Sequence, residues 1–274
     1  MPTFEHAAAK IAYQGQGAGP PVLFIQGVGV PGCGWGLQLE GLADRFHCVT
    51  FDHRGLGQSS PVTGRLSIAD LVGDTLALMD ELGWDDAHLV GHSMGGVIAH
   101  QLALDARSRV RSLSLLCTFT RGRDAARLSP WIAWVGLRTR VGSRAMRRRA
   151  FLEMILPASA RRGANLEALA SHYGAFFGRD LAEQPPVVLK QLQALAGHDQ
   201  SARLSELGGL PTLVVSGAED RLALPVYGRA LAGAIRGARY YQFAGAAHGL
   251  PLAQPEPVNA LLAEHLAAAE AGRS

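Results

Sequence analysis

Short apolar runs alternate along this chain with stretches in which apolar residues recur at helical spacing. The runs predict strands at residues 11–14, 22–26, 48–51, 89–90, 113–116, 213–216 and 240–243. Between them, Ser67 and Asp70 form a capping-box pattern that predicts a helix ending at Gly83, and Pro257 opens a helix near the end of the chain. Strands joined by crossover helices are typical of a mostly parallel sheet flanked by helices.

The alternation stops between residues 118 and 205, where the pattern is helical and predicts no strand. This stretch is too long for an ordinary loop, so we expect a helical cap inserted before the late strands. We therefore predict a core domain made of residues 1–117 and 206–274, and a cap made of residues 118–205. The aromatic residues of the cap together predict an apolar roof over the site described below: Trp131, Trp134, Phe151, His172, Tyr173, Phe176 and Phe177.

Composition excludes several classes of protein. Of the 274 residues, 48% are hydrophobic, which is enough for a sizeable core, and no run of 18 apolar residues predicts a transmembrane helix. The N-terminus lacks the pattern of a secretory signal, and the three cysteines lack metal-binding spacing, so we expect free thiols in the cytoplasm. The net charge is +3, but six arginines between Arg138 and Arg149 follow helical turns. We therefore expect a solvated helix face and no nucleic-acid binding.

The residues Gly91-His92-Ser93-Met94-Gly95 read G-x-S-x-G at the junction between a predicted strand and a predicted helix. A serine at such a junction lies in a strained turn that exposes its hydroxyl, and a side chain at either glycine would collide with neighbouring backbone. We predict Ser93 as a nucleophile, with His92 pointing away from its hydroxyl. The N–H of Met94, at the start of the helix, would face a developing oxyanion.

A serine nucleophile needs a base, and the base works best when a carboxylate orients it. Asp220 and His248 lie in the loops that follow the last two predicted strands, and the order serine, acid, histidine is the one expected with a nucleophile at a strand-to-helix turn. Glu219 and Asp124 are alternative acids. In the glycine-rich loop after the strand at 22–26, we predict the N–H of Val28 as the second oxyanion donor.

Four motifs resemble those of the α/β-hydrolase superfamily, in the same order and over nearly the whole chain. Residues 51–59 are similar to its D-x-R-G-x-G-x-S turn, 91–96 to its nucleophile elbow, 217–220 to its acid loop and 247–249 to its histidine loop. The resemblance implies an α/β-hydrolase fold with a mostly parallel, eight-stranded sheet. The chain departs from the family at Gln26-Gly27, where His-Gly is usual, although the expected donor is a backbone group. Members with an aspartate nucleophile are excluded by Ser93.

The resemblance implies a serine hydrolase that cleaves a carboxylic ester or lactone of a small, largely apolar substrate through an acyl-enzyme. Two alternatives stay open: hydrolysis of a carbon–carbon bond in a ring-cleavage product, and a weakly hydrolytic ligand-binding homologue. No metal or organic cofactor is expected, and the protein would be a monomer or homodimer. Besides the catalytic residues, we expect the substrate to contact Gly27, His92, Trp131, Trp134, Tyr173, Phe176 and Leu222.

Overall fold

The computed structural model of the protein describes residues 1–125 and 129–273. Its strands are β1 (Thr3–His6), β2 (Ala9–Gln16), β3 (Pro21–Ile25), β4 (His47–Phe51), β5 (Ala87–His92), β6 (Val110–Leu116), β7 (Thr212–Gly217) and β8 (Arg239–Phe243). They form one sheet in the order β1-β2-β4-β3-β5-β6-β7-β8. The pairs β1–β2 and β2–β4 are antiparallel and the other five are parallel, so the predicted mostly parallel, eight-stranded sheet is confirmed.

Helices connect the strands and flank the sheet. They are α1 (Gly36–Leu42), α2 (Ile68–Glu81), α3 (Met94–Asp105), α4 (Gly122–Ala125), α5 (Pro130–Arg138), α6 (Arg144–Ile155), α7 (Ala158–Arg161), α8 (Leu166–Phe176), α9 (Val187–Ala196), α10 (Pro225–Ala234), α11 (Leu250–Ala253) and α12 (Pro255–Ala271). The capping box predicted for α2 is confirmed, because the Asp70 N–H donates to Ser67 Oγ at 3.1 Å. Among the described helices, none is both long and apolar enough to cross a membrane.

The central strands β3, β5, β6 and β7 are buried almost completely along their length. Parallel strands that helices cover on both faces consist mostly of apolar residues. For this reason, the apolar runs in the sequence predict these strands. Because β5, β6, β7 and β8 are neighbours and run parallel, their carboxyl ends meet at one edge of the sheet. The loops that carry Ser93, Asp220 and His248 therefore start side by side.

Helices α4 to α9 lie between β6 and β7 and form what we call the helical insert, residues 118–205, of which 126–128 lie outside the described residues. An isolated antiparallel bridge between Arg121 and Asp199 joins the two ends of the insert. The insert has a hydrophobic cluster of its own, whose buried members include Phe151, Leu152 and Tyr173. Its status as a separate domain stays a prediction.

Two buried histidines make the fold sensitive to acid. Burial lowers the pKa of His100 and of His265 to about 4 each, from 6.5 in an unperturbed side chain. Between pH 4 and pH 6.5, these side chains bind protons in the unfolded chain but not in the folded protein. The free energy of unfolding therefore falls as the pH falls. We expect each of these two groups to lower it by about 1.5 kcal/mol between pH 6.5 and pH 5, in addition to the contributions of His88 and His92, whose pKa burial lowers to about 3. His100→Gln should therefore remove about 1.5 kcal/mol of the pH dependence measured by urea unfolding, and an unchanged slope in this variant would contradict the assignment.

Candidate active site

Ser93 lies between the last residue of β5 and the first of α3, in a backbone conformation (φ 54°, ψ −117°) that L-residues rarely adopt. The surrounding chain holds it there, since the Ser93 N–H donates to Leu116 O at 2.9 Å and Thr118 Oγ1 donates to Ser93 O at 2.7 Å. A strained backbone of this kind is stable only where contacts with neighbouring residues hold it in place. The turn therefore presents the Ser93 side chain above the sheet edge.

The two glycines of the elbow are required by backbone packing. A Cβ on Gly91 would lie 2.3 Å from the carbonyl oxygen of Gly95, and a Cβ on Gly95 would lie 1.9 Å from that of Ile25. Neither contact can be relieved by rotating a side chain, because both neighbours are backbone atoms. The tight approach of α3 to β3 and β5 thus depends on these positions.

We expect Gly95→Ala to lower the free energy of unfolding by about 3 kcal/mol, because the added methyl group must displace β3 or α3. Gly233→Ala is the matched control, since it lies inside α10, where an added Cβ would have nothing within 4 Å, and it should be neutral or slightly stabilising. Both values can be measured by urea unfolding. Equal stabilities of the two variants would show that the elbow tolerates a side chain.

Asp220 and His248 meet beside this serine. His248 Nδ1 lies 2.8 Å from Asp220 Oδ2, while Asp220 Oδ1 accepts the N–H groups of Leu222 at 2.8 Å and Ala223 at 2.9 Å. Asp220 is fully buried and His248 nearly so. Ser93 and His248 line the same cavity, and within the described residues the Ser93 hydroxyl makes no hydrogen bond. The arrangement can pass a proton from a serine hydroxyl to an imidazole held by a carboxylate.

The alternative acids are placed differently. Glu219 is exposed on the outer side of the same loop, and Asp124 is paired with Arg121 at 3.0 Å in the helical insert. Neither has a contact to His248 among the described residues, whereas the Asp220 carboxylate does. Of the three carboxylates considered from the sequence, the structure brings Asp220 to the histidine.

The loop after β3 runs alongside the elbow. A Cβ on Gly27 would lie 3.1 Å from Ser93 Cβ, and Val28 lines the cavity next to it. Within the described residues, the N–H groups of Val28 and Met94 donate no hydrogen bond, so both are available to an oxyanion. Gln26, at the position where the family usually has histidine, accepts the Gly27 N–H with its own side-chain oxygen at 3.2 Å.

Two buried histidines, both with lowered pKa values, support this region. Burial and the nearby His248 lower the pKa of His92 to about 3, and His92 Nε2 lies 2.8 Å from the carbonyl oxygen of His248. Burial also lowers the pKa of His53, whose Nε2 lies 3.0 Å from the carbonyl oxygen of Gln26. A neutral imidazole donates to each carbonyl, so these side chains tie the histidine loop to β5 and the glycine-rich loop to β4.

The cavity at Ser93 has a volume of about 260 Å³ and is mostly apolar. The helical insert contributes much of its wall through three helices: Ile132 and Gly136 of α5, Phe151, Met154 and Ile155 of α6, and Val188, Leu192 and Leu195 of α9. The core contributes Gly27, Val28, Trp35, His92 and Leu222, among others. The stretch that contains α9 was predicted to be helical, but none of its residues was expected at the substrate, although its apolar residues recur at helical spacing.

Four residues expected at the substrate lie outside the lining of this cavity, which corrects the prediction made for them. Trp134 is 47% exposed and packs against Arg138, and Trp131 packs against Arg221, whose guanidinium carbon is 3.9 Å from the ring centre. Tyr173 and Phe176 pack into the insert's own hydrophobic cluster. The physical reason is that α5 presents Ile132 and Gly136 to the cavity, which leaves its two tryptophans on other faces of the helix, and that no residue of α8 lines the cavity.

The arginines between Arg138 and Arg149 lie away from the cavity. Arg144 and Arg148 both pair with Asp180, and Arg148 also pairs with Glu167 at 2.6 Å. In residues 1–125 and 129–273, no arginine or lysine lines the cavity at Ser93. The cluster therefore belongs to the polar face of the insert.

The chain is similar to known proteins over most of its length. RutD of Azorhizobium caulinodans, whose name describes a carbamate hydrolase, is 30% identical over 96% of this chain and 97% of its own. The structure of Est816, described as an N-acyl homoserine lactone degrading enzyme, has a TM-score of 0.80 and 30% identity over 95% of this chain and 98% of Est816. The enol-lactonase of Burkholderia xenovorans LB400 shares the fold, with a TM-score of 0.78 and 24% identity over 97% of this chain and 100% of that structure.

The family model described as the alpha/beta hydrolase fold matches residues 20–254, which include β3 to β8, the serine elbow, the helical insert and the loops of Asp220 and His248. The chain therefore belongs to the alpha/beta hydrolase family.

Proposed function

We propose that the protein is a serine hydrolase that cleaves a carboxylic ester or lactone through a covalent acyl-enzyme. One observation carries this proposal: the 2.8 Å contact between His248 and the buried Asp220, beside a strained Ser93 at the wall of an apolar cavity. Hydrolysis is typical of the family, and two of the residues that we assign to it, Ser93 and His248, line the cavity.

In the proposed mechanism, the Ser93 oxygen attacks the substrate carbonyl while His248 Nε2 takes the hydroxyl proton. Asp220 stabilises the imidazolium, and the N–H groups of Val28 and Met94 stabilise the oxyanion of the tetrahedral intermediate. His248 then gives the proton to the leaving oxygen. A water molecule, deprotonated by the same imidazole, attacks the acyl carbonyl. His248 then returns that proton to the Ser93 oxygen as the acyl–oxygen bond breaks, which releases the acid and restores the serine.

The cavity supports a small, largely apolar acyl group. Its polar side chains are confined to the reacting end, at Gln26, Ser93, His92 and His248, while the helical insert supplies apolar side chains. The names of RutD and Est816 describe a carbamate and a lactone, and both contain a carbonyl bonded to a leaving heteroatom, as the proposed substrate does. The absence of a lining cation among the described residues disfavours the dienoate substrates of carbon–carbon bond hydrolysis, which carry carboxylates.

Covalent labelling tests the proposal against the alternative of an inert ligand-binding protein. A fluorophosphonate should phosphonylate Ser93 stoichiometrically at neutral pH, and peptide mass spectrometry should locate the adduct. A panel of p-nitrophenyl esters and acyl lactones, assayed beside a dienoate ring-cleavage product, then identifies the bond that is cleaved. An unlabelled Ser93 would favour the binding protein, and turnover of the dienoate alone would favour carbon–carbon hydrolysis.

A further inference from the structure

The glycine-rich loop next to Ser93 contains a tight turn. Val30 N–H donates to Gly27 O at 3.4 Å, and Gly29, the third residue of the turn, has φ +70°. Turns with this value at the third position require glycine, as in type II turns. A Cβ on Gly29 would also lie 2.7 Å from Val188 of α9, so this turn is packed directly against the helical insert.

Both polar groups of Gly29 are held by side chains of the insert. The Gly29 N–H donates to Gln191 Oε1 at 2.8 Å, and Arg179 Nη2 donates to Gly29 O at 3.0 Å. Gln191 is fully buried, and its Nε2 has no partner among the described residues. On the buried face of α9, the Gln191 amide group therefore makes one hydrogen bond among the described residues, the one that its oxygen accepts from Gly29.

We propose that Gln191 is a positioning residue, which acts through Gly29 to hold the Val28 N–H at the oxyanion; this inference rests on the proposed hydrolase function. Val28 and Gly29 share a peptide group, so fixing the Gly29 N–H fixes the plane that follows Val28. The Val28 N–H lies in the preceding plane, whose carbonyl oxygen, that of Gly27, accepts the Val30 N–H of the same turn. A turn held at Gly29 therefore orients both planes. Gln191 lies on the same helix as the cavity-lining residues Leu192 and Leu195. The helix that contacts the acyl group thus also aligns the oxyanion donor, and a misplaced insert would impair catalysis even with Ser93, Asp220 and His248 intact.

Exchange of the side-chain oxygen tests this role. Gln191→Met keeps the length of the side chain but removes the acceptor, and should lower kcat for p-nitrophenyl butyrate by about 10- to 100-fold with KM within about twofold. Its affinity for phenylboronic acid, which forms a tetrahedral adduct with the serine, should fall by a similar factor. Gln191→Glu retains an oxygen at this position and should recover most of kcat. Leu189→Met, at a site that is 52% exposed on the same helix, is the matched control and should match the wild type.

Hydrogen exchange of the 27–30 segment gives a second readout, since the Gly29 amide should exchange faster in Gln191→Met than in the wild type. If Gln191→Met does not fold, Gln191→Ala removes the acceptor without overfilling the site and carries the same expectation. A kcat for these variants within about twofold of the wild type would overturn the positioning role, and so would an equal loss in Gln191→Glu. A wild-type protein that neither hydrolyses nor is labelled would overturn the proposed function and this role together.

Discussion

Replacing Ser93 with alanine is expected to lower kcat for ester hydrolysis by about 10⁴-fold or more, because among the described residues no other serine, threonine or cysteine lines the cavity. The substitution removes one oxygen atom from the wall and leaves the apolar lining unchanged, so KM should change little. Stopped assays with p-nitrophenyl butyrate measure the loss directly. Fluorophosphonate labelling of the same variant should disappear.

Ser114→Ala is the matched control for this variant. Ser114 is a buried serine of β6 whose hydroxyl has no partner among the described residues, and it does not line the cavity. Removing an unpaired buried hydroxyl should not reduce stability, so the variant should keep wild-type activity. Full activity of Ser93→Ala would contradict the acyl-enzyme mechanism, and equal losses in both variants would indicate an effect on folding.

Much of the fold could be predicted because the central strands are buried on both faces. Continuous apolar runs marked all the strands from β2 to β8, with ends within three residues of those observed. The strand β1 was missed for a local reason. Its hairpin with β2 turns at Ala7 and Ala8, which have φ of 45° and 59°, and alanine gives none of the glycine or asparagine signal that usually marks such a turn.

The catalytic loops could be located for a similar reason. Ser93 and Asp220 follow the buried strands β5 and β7, and His248 follows the more exposed edge strand β8. Because these strands run parallel, their carboxyl ends lie at one edge of the sheet. What the sequence could not decide was which apolar face of each insert helix meets the cavity. An amphipathic pattern predicts that an apolar face exists but not what it contacts. The aromatic residues of α8 pack into the hydrophobic cluster that it shares with α6 and do not line the cavity at Ser93.

The sequence of α9 contains a signal that could have identified Gln191 as a functional candidate. It stands one turn after Val187 and Val188 and one turn before Leu195, so a polar residue interrupts the buried stripe of α9. A buried amide requires a hydrogen-bonding partner, but its position in the sequence does not name that partner. The contact to Gly29 joins residues 162 positions apart, and only the docking of the insert on the core reveals it.

Asp220→Asn is expected to lower kcat by about 10⁴-fold while the fold stays intact. Two backbone N–H groups, from Leu222 and Ala223, donate to Oδ1 of this side chain. In the asparagine variant the carbonyl oxygen must stay opposite those donors, so the amide NH₂ faces His248 Nδ1. The ring then has to accept at Nδ1 and carry its proton on Nε2, where it can no longer take the proton of Ser93. Steady-state kinetics measure the loss, and urea unfolding checks stability.

The neighbouring acids provide the controls for this prediction. Glu219→Gln changes the adjacent, exposed residue, and Asp124→Asn changes the partner of Arg121, so both should keep kcat within about twofold of the wild type. A large loss in either variant with normal activity in Asp220→Asn would transfer the orienting role to that acid. Comparable losses in all three would indicate a general electrostatic effect rather than control of the His248 tautomer. Because the two donors to Oδ1 come from the backbone, the loop after β7 sets the His248 tautomer in this variant, whatever the substrate.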